Sequence, residues 1–259
     1  MLLYFSPHNC GSWETIMNNL IYESNRQISS AYIDSSVRLG IAQTMLLVQD
    51  NLTECFGMLG CDGVVYRDKF NAFWVLTKMM VHFNARPGWR DTVTVRTFPI
   101  DNARIRTHVN TEILDSNDNR LITVNQEACV LSFDTHRPMK LTDLPYPTDG
   151  FPAAAMNEPF NKFPDDFNED DFVFEQTIRS CHIDMSHHMN NIEYIRLALS
   201  VFTDEYRRQN EITDMELHYL GESQEGQTLR VYRRDSDGKC YIYIMQDNRK
   251  VFECSINFR

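Results

Sequence analysis

The feature that most constrains the fold of this chain is a repeated segment. Ile183-Asp184-x-Ser186 stands before an apolar stretch in the second half of the sequence, and Ile33-Asp34-x-Ser36 stands before a similar stretch in the first half. Two positions after the serine, the second copy has His188 where the first has Arg38. The sequence therefore predicts two like units, of which only the second carries a complete set of polar groups.

Both copies lead into a segment with the spacing of an α-helix. Apolar residues recur in each segment at three- and four-residue intervals, which is typical of a helix with a wide buried face. We predict one long helix in each unit. The recurring residues are Ile41, Met45, Val48, Leu52, Cys55 and Phe56 in the first unit and Ile192, Ile195, Leu199, Phe202 and Tyr206 in the second.

Further correspondences follow the helices. His82-Phe83 matches His218-Tyr219, and this alignment puts Arg86 in the place of Glu222. We interpret the two matched histidines as sheet residues rather than catalysts. Because the second unit again has the acidic residue that the first lacks, the sequence predicts a single active site, in the second unit.

Segments rich in β-branched and aromatic residues follow both helices. Residues 115–119, 235–238 and 247–249 between them have the composition of hairpin turns. A leading strand is predicted before each helix, at 14–30 and 172–181. The strands predicted after the helices are 73–84, 92–99, 105–114 and 121–133 in the first unit and 215–219, 228–234, 240–246 and 251–258 in the second.

Prolines and acidic residues cluster between the two units. They give residues 146–171 the composition of an extended linker. We predict a first unit at residues 1–145 and a second at 172–259, in an α+β fold in which each unit wraps an antiparallel sheet around a long helix. The clustered residues are Pro145, Pro147, Pro152, Pro159, Pro164, Asp165, Asp166, Glu169, Asp170 and Asp171.

The composition argues against several classes of partner. A formal net charge of -11 is unfavourable for binding nucleic acid or anionic lipid. The sequence has no apolar run of membrane-spanning length, and residues 1–8 lack the features of a secretory signal. The cysteines are odd in number and have no CxxC spacing, which predicts neither a disulfide framework nor a zinc site. We expect a cytoplasmic protein.

An acidic partner would need a local basic patch on this acidic chain. Three arginine pairs are candidates, and each is equally interpretable as ordinary solvated surface. The pairs are Arg104 and Arg106, Arg207 and Arg208, and Arg233 and Arg234.

Two passages resemble the acyl-ACP thioesterases, which release the acyl chain from its carrier protein at the end of fatty-acid synthesis. Residues 74–93 are similar to the family's Trp-x-x-Thr-x-Met and Pro-x-Trp-x-Asp run, and residues 184–195 to its Asp-x-Asn-x-His-Val-Asn-Asn-x-x-Tyr-Ile motif. The resemblance implies a double hotdog fold of two tandem hotdog units, acyl carrier protein as partner, and hydrolysis of its acyl thioester. It extends over nearly the whole chain.

Carried over position by position, the resemblance implies a catalytic set of Asp184, Ser186, His188 and Glu222. The sequence departs from the family at one of these positions and at the neighbour of another. Ser186 replaces an asparagine, and Ser223 replaces a residue that is often cysteine in plant members, which rules out a cysteine nucleophile there. Plant members begin with a transit peptide that we do not find here, so we expect a bacterial-type enzyme.

Thioester hydrolysis requires an activated water and donors for the developing oxyanion. We hypothesise that Glu222 is the general base and that His188 orients the water or relays its proton. Asp184 is expected to anchor the loop. Backbone N–H groups at the helix start, around Met189 and Asn190, are expected to face the thioester carbonyl. The Asn190 side chain is interpretable as a further donor or as a helix cap.

The first unit, with its polar set lost, is expected to supply the volume for the acyl chain. All the proposed wall residues are equally interpretable as plain core. No cofactor is expected, and His182, His187, His188 and His218 fit no common metal-ligand spacing. The proposed wall residues are Met45, Val48, Leu52, Phe73, Trp74 and Met79.

Alternatives remain open at this point. A thioesterase of the same fold that prefers acyl-CoA would use the same residues, since carrier choice is a surface property. A non-catalytic acyl-binding or lipid-sensing protein is a second alternative, and Ser186 leaves room for it. A hotdog hydratase is disfavoured because no proline stands near His188. Since duplication already pairs two units, a monomer and a homodimer are both compatible with the sequence.

Overall fold

Strands from both halves of the chain join in one sheet. The computed structural model describes residues 20–259, so the predicted N-terminal features and residues 14–19 of the first predicted strand lie outside the described residues. The first-half elements are β1 (Tyr22–Gln27), α1 (Ile41–Met58), α2 (Gly63–Phe70), β2 (Ala72–Phe83), β3 (Thr92–Pro99), β4 (Thr107–Leu114) and β5 (Arg120–Ser132). The second-half elements are β6 (Phe172–Thr177), α3 (Asn191–Leu199), α4 (Asp204–Gln209), β7 (Ile212–Tyr219), β8 (Thr228–Ser236), β9 (Lys239–Gln246) and β10 (Arg249–Phe258). Short 3₁₀ turns lie at Leu141–Asp143, Glu169–Asp171 and Ser180–His182.

The two halves of the sheet have mirrored strand orders. The ten strands run β1-β3-β4-β5-β2-β7-β10-β9-β8-β6, and every neighbouring pair is antiparallel. β2 and β7 pair at the centre, with Met80 opposite Glu216. β7 takes in the second half the place that β2 takes in the first, so the order of strands reproduces the repeat seen in the sequence.

Most of the predicted strands are confirmed, and β3 has the predicted bounds. Their alternation and turn residues are local signals that tertiary packing did not override. The 235–238 turn is tighter than predicted, because only Asp237 and Gly238, both at positive φ, lie between β8 and β9. The first leading strand is shorter than predicted. It ends at Gln27 because the Ile28 N–H donates to the Asp91 carbonyl in a loop (2.8 Å).

The predicted single long helix of the second unit is wrong. It ends at Leu199, and the separate α4 begins after Thr203, whose hydroxyl accepts from the Tyr206 N–H (3.1 Å). A threonine that caps a new helix competes with continuing the old one. Across the break the rings of Phe202 and Tyr206 stack, with their centroids 5.3 Å apart. A further helix, α2, was not predicted; the Asp62 side chain caps it.

The helices and the linker lie on opposite faces of the sheet. α1 packs against β1 and β3 and touches α3. On the other face, the Asn110 side-chain oxygen accepts from the N–H groups of Ala155 (2.8 Å) and Met156 (2.9 Å). Further along, the Tyr243 hydroxyl donates to the Pro164 carbonyl (2.6 Å). Residues 146–171, predicted as an extended linker, therefore pack across the sheet.

The two matched histidines are sheet residues, as predicted. His82 lies in β2 and pairs with Asp214, and His218 lies in β7. The buried His218 ring reaches Glu216 Oε1 (2.9 Å) through Nε2 and Glu253 Oε1 (3.0 Å) through Nδ1, and Phe163 of the linker stacks on it. Burial disfavours the charged ring, but the two carboxylates outweigh burial and raise the pKa of His218.

Candidate active site

A tight loop before α3 carries most of the predicted polar residues. Ile183 and Met189 form a single antiparallel bridge, and inside it the Asp184 N–H donates to the His188 carbonyl (3.0 Å). The His187 N–H donates back to the Asp184 carbonyl (3.0 Å). Closing so short a loop requires the left-handed φ of 63° at His187. The loop therefore holds the His188 backbone in a fixed place.

Asp184 organises this loop through one of its two carboxylate oxygens. Its Oδ1 accepts from the Ser186 N–H (2.8 Å), as in an Asx turn. The other oxygen, Oδ2, has no hydrogen-bond partner among the residues that the structure describes. The predicted anchoring role of Asp184 therefore agrees with the geometry, and one carboxylate oxygen stays available to a ligand.

His188 and Glu222, predicted to act together, are neighbours. His188 Nε2 lies 3.3 Å from Glu222 Oε2, and their side chains are 30% and 47% exposed. Glu222 follows β7 in a connection held by the Met189 N–H, which donates to the Ser223 carbonyl (2.8 Å). Because backbone contacts fix both the loop and the connection, the two side chains meet from different elements at a surface open to water.

The two serines that replace family residues lie outside this pair. Ser186 is exposed, and its hydroxyl makes no hydrogen bond within residues 20–259. Ser223 is fully buried and its hydroxyl donates to Gln246 Oε1 (3.2 Å). Ser223 therefore supports the connection, and the structure does not bring Ser186 into contact with His188 or Glu222.

The prediction that the backbone N–H groups of Met189 and Asn190 face the thioester carbonyl is wrong, because both already have acceptors. The Met189 N–H donates to the Ser223 carbonyl (2.8 Å), and the Asn190 N–H donates to the His182 carbonyl (2.9 Å). The Asn190 side-chain oxygen caps α3 by accepting from the Ile192 N–H (2.9 Å). Sequence alone identifies the helix start but not the tertiary acceptors that occupy these donors.

Asn191, the first residue of α3, was not predicted as a site residue. Its N–H donates to no acceptor in the described part of the chain, and the residue lines a cavity that Asp184 also lines. The first N–H groups of a helix are unpaired within it and favour negative charge. The signal in the sequence was the Asn190 cap, which places the first free donor one residue later than predicted.

The cavity has a volume of about 160 Å³ and lies between the first half and the start of α3. Of the six residues predicted as pocket wall, Met45, Leu52, Trp74 and Met79 line this cavity. Val48 and Phe73 do not. Val48 is buried in the core on another side of α1, and Phe73 packs against Phe133 (4.7 Å) and His136. The lining residues that were not predicted are Gln49, Phe56, Leu76, Gln126, Ala128, Asp184, Asn191, Ile192 and Tyr219.

His188 and Glu222 stand beside the cavity rather than in its wall. Asp184 and Asn191, which flank His188 along the chain, are among the residues that line the cavity. Phe56 and Trp74 also line it, and their ring centroids are 4.6 Å apart. The arrangement suits a ligand with a long apolar part inside and a polar end near the His188 and Glu222 pair.

The corresponding loop in the first half has the same backbone and different chemistry. The Asp34 N–H donates to the Arg38 carbonyl (2.9 Å), and the Leu39 N–H donates to the Pro87 carbonyl (2.8 Å), as their counterparts do. Here Arg86 Nη1 reaches Asp34 Oδ2 (2.6 Å). Burial raises the pKa of Asp34, but hydrogen bonds from Ser36 and the charge of Arg86 outweigh it and lower the pKa overall.

Most of the predicted basic pairs have their charge engaged. Arg106 pairs with Glu127, Arg207 with Asp34 and Arg208 with Asp204. Arg233 pairs with Asp235, and Arg234 with Asp166 and Asp171. Arg249, which was not predicted, lies beside the site: its guanidinium donates to the Glu222 carbonyl (3.2 Å) and forms no ion pair within the described residues.

The part of the chain that the structure describes, residues 20–259, has no helix long and apolar enough to cross a membrane. It also has no group of three or more His, Cys, Asp or Glu side chains placed to hold a metal ion. The six described cysteines are free, and Cys181 is the exposed one among them.

Solved structures share this architecture. The crystal structure of an acyl-ACP thioesterase from Bacteroides thetaiotaomicron VPI-5482 matches with a TM-score of 0.82 at 18% identity, over 93% of this chain and 98% of that one. The 12:0-ACP thioesterase from Umbellularia californica matches with a TM-score of 0.81 at 17% identity, over 93% and 98%. At these identities the likeness is one of fold, and this chain has the fold of these thioesterases.

Family models make the assignment specific. The acyl-ACP thioesterase N-terminal domain matches residues 19–144, and the C-terminal domain of the same family matches residues 166–258. The chain belongs to the acyl-ACP thioesterase family, which confirms the resemblance found in the sequence.

Curated relatives match over a smaller share of each chain. A chloroplastic palmitoyl-acyl carrier protein thioesterase from Cuphea hookeriana is 25% identical over 83% of this chain and 54% of its own length. A chloroplastic oleoyl-acyl carrier protein thioesterase from Arabidopsis thaliana is 25% identical over 61% and 46%. The chain spans about half the length of the curated relatives it matches.

Proposed function

We propose that this chain hydrolyses the thioester of acyl-acyl carrier protein, releasing a free fatty acid and the carrier thiol. The observation that carries the proposal is the 3.3 Å contact between His188 and Glu222, next along the chain to a mostly apolar cavity that Asp184 and Asn191 line. Family membership supports the carrier protein as the thiol partner.

Glu222 is the general base of the proposed reaction. Its carboxylate takes a proton from water as the water oxygen attacks the thioester carbonyl. In the tautomer with hydrogen on Nε2, His188 donates to Glu222 and orients the carboxylate. When the tetrahedral intermediate collapses, the C–S bond breaks and the protonated Glu222 returns its proton to the leaving thiolate. Water and thioester thus give acid and thiol, and Glu222 ends as it began.

The Asn191 N–H is the proposed oxyanion donor. It has no acceptor within the described residues, and Asn191 lines the cavity in which the acyl chain would lie. A donor that is already in place costs no reorganisation as negative charge develops on the carbonyl oxygen. The Asn190 side chain keeps this helix end in position through its cap on Ile192.

The surface around the site offers contacts for the carrier. Met185 is 79% exposed and Leu220 is 47% exposed, and they stand on the two segments that carry His188 and Glu222. Arg249 adds a cation without an ion pair in the described chain. We propose that an acidic carrier docks over these three residues rather than over the arginine pairs whose charges are engaged.

We also propose the double hotdog description and the division at residues 146–171. The mirrored strand order supports two tandem units, 1–145 and 172–259, of which the first supplies most of the cavity wall and the second supplies His188 and Glu222. With the two units paired at β2 and β7, either a monomer or a homodimer is compatible with the proposal.

The test compares hydrolysis of acyl-ACPs and matching acyl-CoAs by the wild type, Glu222→Gln and Glu225→Gln. Glu225 is an exposed acidic neighbour, so its variant controls for charge. We expect release from acyl-ACP that Glu222→Gln lowers by about 100-fold or more and Glu225→Gln leaves within about twofold. Faster release from acyl-CoA would reassign the carrier. Absence of release from both would favour the non-catalytic acyl-binding alternative.

A further inference from the structure

A buried glutamine lies in the wall of the apolar cavity. Gln126 is in β5 and is 1% exposed. Side chains alternate along a strand, so Gln126 points to the same face as Val124 and Ala128, toward the helices. Ala128 lines the cavity as well. The Gln126 side chain thus occupies a position where its neighbours on the strand are apolar.

The amide of Gln126 has no partner within residues 20–259. Its Oε1 is inaccessible to solvent and accepts no hydrogen bond, and its Nε2 donates none there. Other buried amides are paired: Asn51 Nδ2 of α1 donates to Thr97 Oγ1 (2.8 Å), and Asn110 Oδ1 of β4 accepts from Ala155 and Met156. Because leaving a buried amide unpaired is unfavourable, such groups are uncommon in proteins.

Gln126 is one of the residues that line the cavity, and a second amide, Gln49 of α1, also lines it. The remaining wall is mostly apolar. An unsubstituted acyl chain in this cavity would offer the Gln126 amide neither a donor nor an acceptor.

We propose that Gln126 selects acyl chains that carry a hydroxyl group along the chain. This inference rests on the proposed thioesterase function. A hydroxyl donates to Oε1 and accepts from Nε2, so one substituent satisfies both atoms of the amide. An oxo group only accepts, and a carbon–carbon double bond does neither. Of these chain types, the hydroxyacyl chain matches the amide best.

The inference predicts discrimination between chains of one length. A plain chain leaves the amide without a hydrogen-bond partner, which is the situation in which a buried polar site rejects an analogue. Replacing the amide with an apolar side chain of similar length should reverse the preference, because the hydroxyl would then lack a partner.

The experiment uses acyl-ACPs of one chain length, unsubstituted or with a single hydroxyl placed at successive carbons. The enzymes are the wild type, Gln126→Met and, as a matched control in the same wall, Leu76→Met. For the best hydroxyl position we expect kcat/KM in the wild type to exceed that of the plain chain by about tenfold or more. Gln126→Met should bring this ratio to about one or below, and Leu76→Met should leave it near the wild-type value.

Equal rates on plain and hydroxylated chains by the wild type, or a ratio that Gln126→Met leaves unchanged, would overturn the inference. The wild-type ratio tests it even if the variant folds poorly. If no thioester is hydrolysed, the proposed function fails separately. The inference then stands or falls on calorimetry with free fatty acids, in which a hydroxy fatty acid should bind the wild type more tightly than its plain counterpart and lose that advantage in Gln126→Met.

Discussion

Arg86 Nη1 lies 2.6 Å from Asp34 Oδ2, in a loop whose backbone matches that of the Asp184 loop. In the second half the residue at the place of Arg86 is Glu222, which faces His188. The exchange of a cation for an anion therefore decides which group of the loop is paired. In the first half the aspartate is paired with Arg86, and in the second the histidine is paired with Glu222.

Arg86→Met should destabilise the chain. Both Arg86 and Asp34 are largely buried, and the arginine also donates to the Leu39 carbonyl (3.0 Å). Removing Arg86 leaves the Asp34 carboxylate with only the longer contact to Arg207 (3.5 Å) as an ion pair, at a cost of up to about 3 kcal/mol. Urea denaturation measures the loss, and the exposed Arg90→Met is the control. A change no larger than that of the control would show that the pair contributes little.

Ser223→Cys should keep thioesterase activity within about threefold and should not create a reactive thiol. Ser223 is fully buried and its hydroxyl faces Gln246, away from the His188 and Glu222 pair. Buried thiols are poorly ionised and therefore unreactive. Alkylation is measured in a Cys181→Ser background because Cys181 is exposed. Rapid inactivation of Ser223→Cys by iodoacetamide would contradict this prediction.

Ala128→Leu should shift the preferred substrate toward shorter acyl chains. Ala128 lines the cavity, so the added carbons occupy volume that a chain end would fill. With one methylene in an apolar pocket worth about 1–3 kcal/mol, kcat/KM for the longest accepted chains should fall roughly tenfold or more. Phe73→Leu, outside the cavity, is the control and should leave the product profile unchanged. Product profiles that shift equally in both variants would contradict the assignment of this cavity to the acyl chain.

Stability should fall as pH rises from about 6.5 to about 9, in part through His108. Hydrogen bonds to Asp101 and Glu127 outweigh burial and raise the pKa of His108 to about 9, against an ordinary value of 6.5. Protonation therefore stabilises the fold fully below the lower pKa, and the contribution is lost as pH passes the upper one. Denaturation across this range should show a smaller decline for His108→Asn than for the wild type. Parallel curves would remove His108 as a source of the dependence.

Local patterns predicted the strands well because alternation and turn residues act within a few positions. The helix patterns predicted less. The apolar spacing that reaches Tyr206 is the same whether or not the helix is interrupted, and the Thr203 cap decides that it is. Val48 and Met45 share a helix buried on most sides, so spacing alone could not identify which of them faces the cavity.

The side chains of the candidate site were easier to predict from the sequence than its backbone N–H donors. Family motifs identified Asp184, His188 and Glu222, and the fold brings the last two into contact. The backbone donors depended on acceptors far along the chain, such as the Ser223 carbonyl that occupies the Met189 N–H. Gln126 could not be identified from the sequence, because a glutamine in a strand becomes unusual only when its surroundings are known to be apolar.

The pairing of β2 with β7 has a consequence for handling the two halves separately. Each of these strands is the inner border of its own half, and they protect one another's backbone groups along the centre of the sheet. Cutting the chain in the linker and expressing either half alone would leave that border bare, and an exposed strand edge recruits other chains. The halves should therefore precipitate or self-associate on their own and regain solubility when co-expressed.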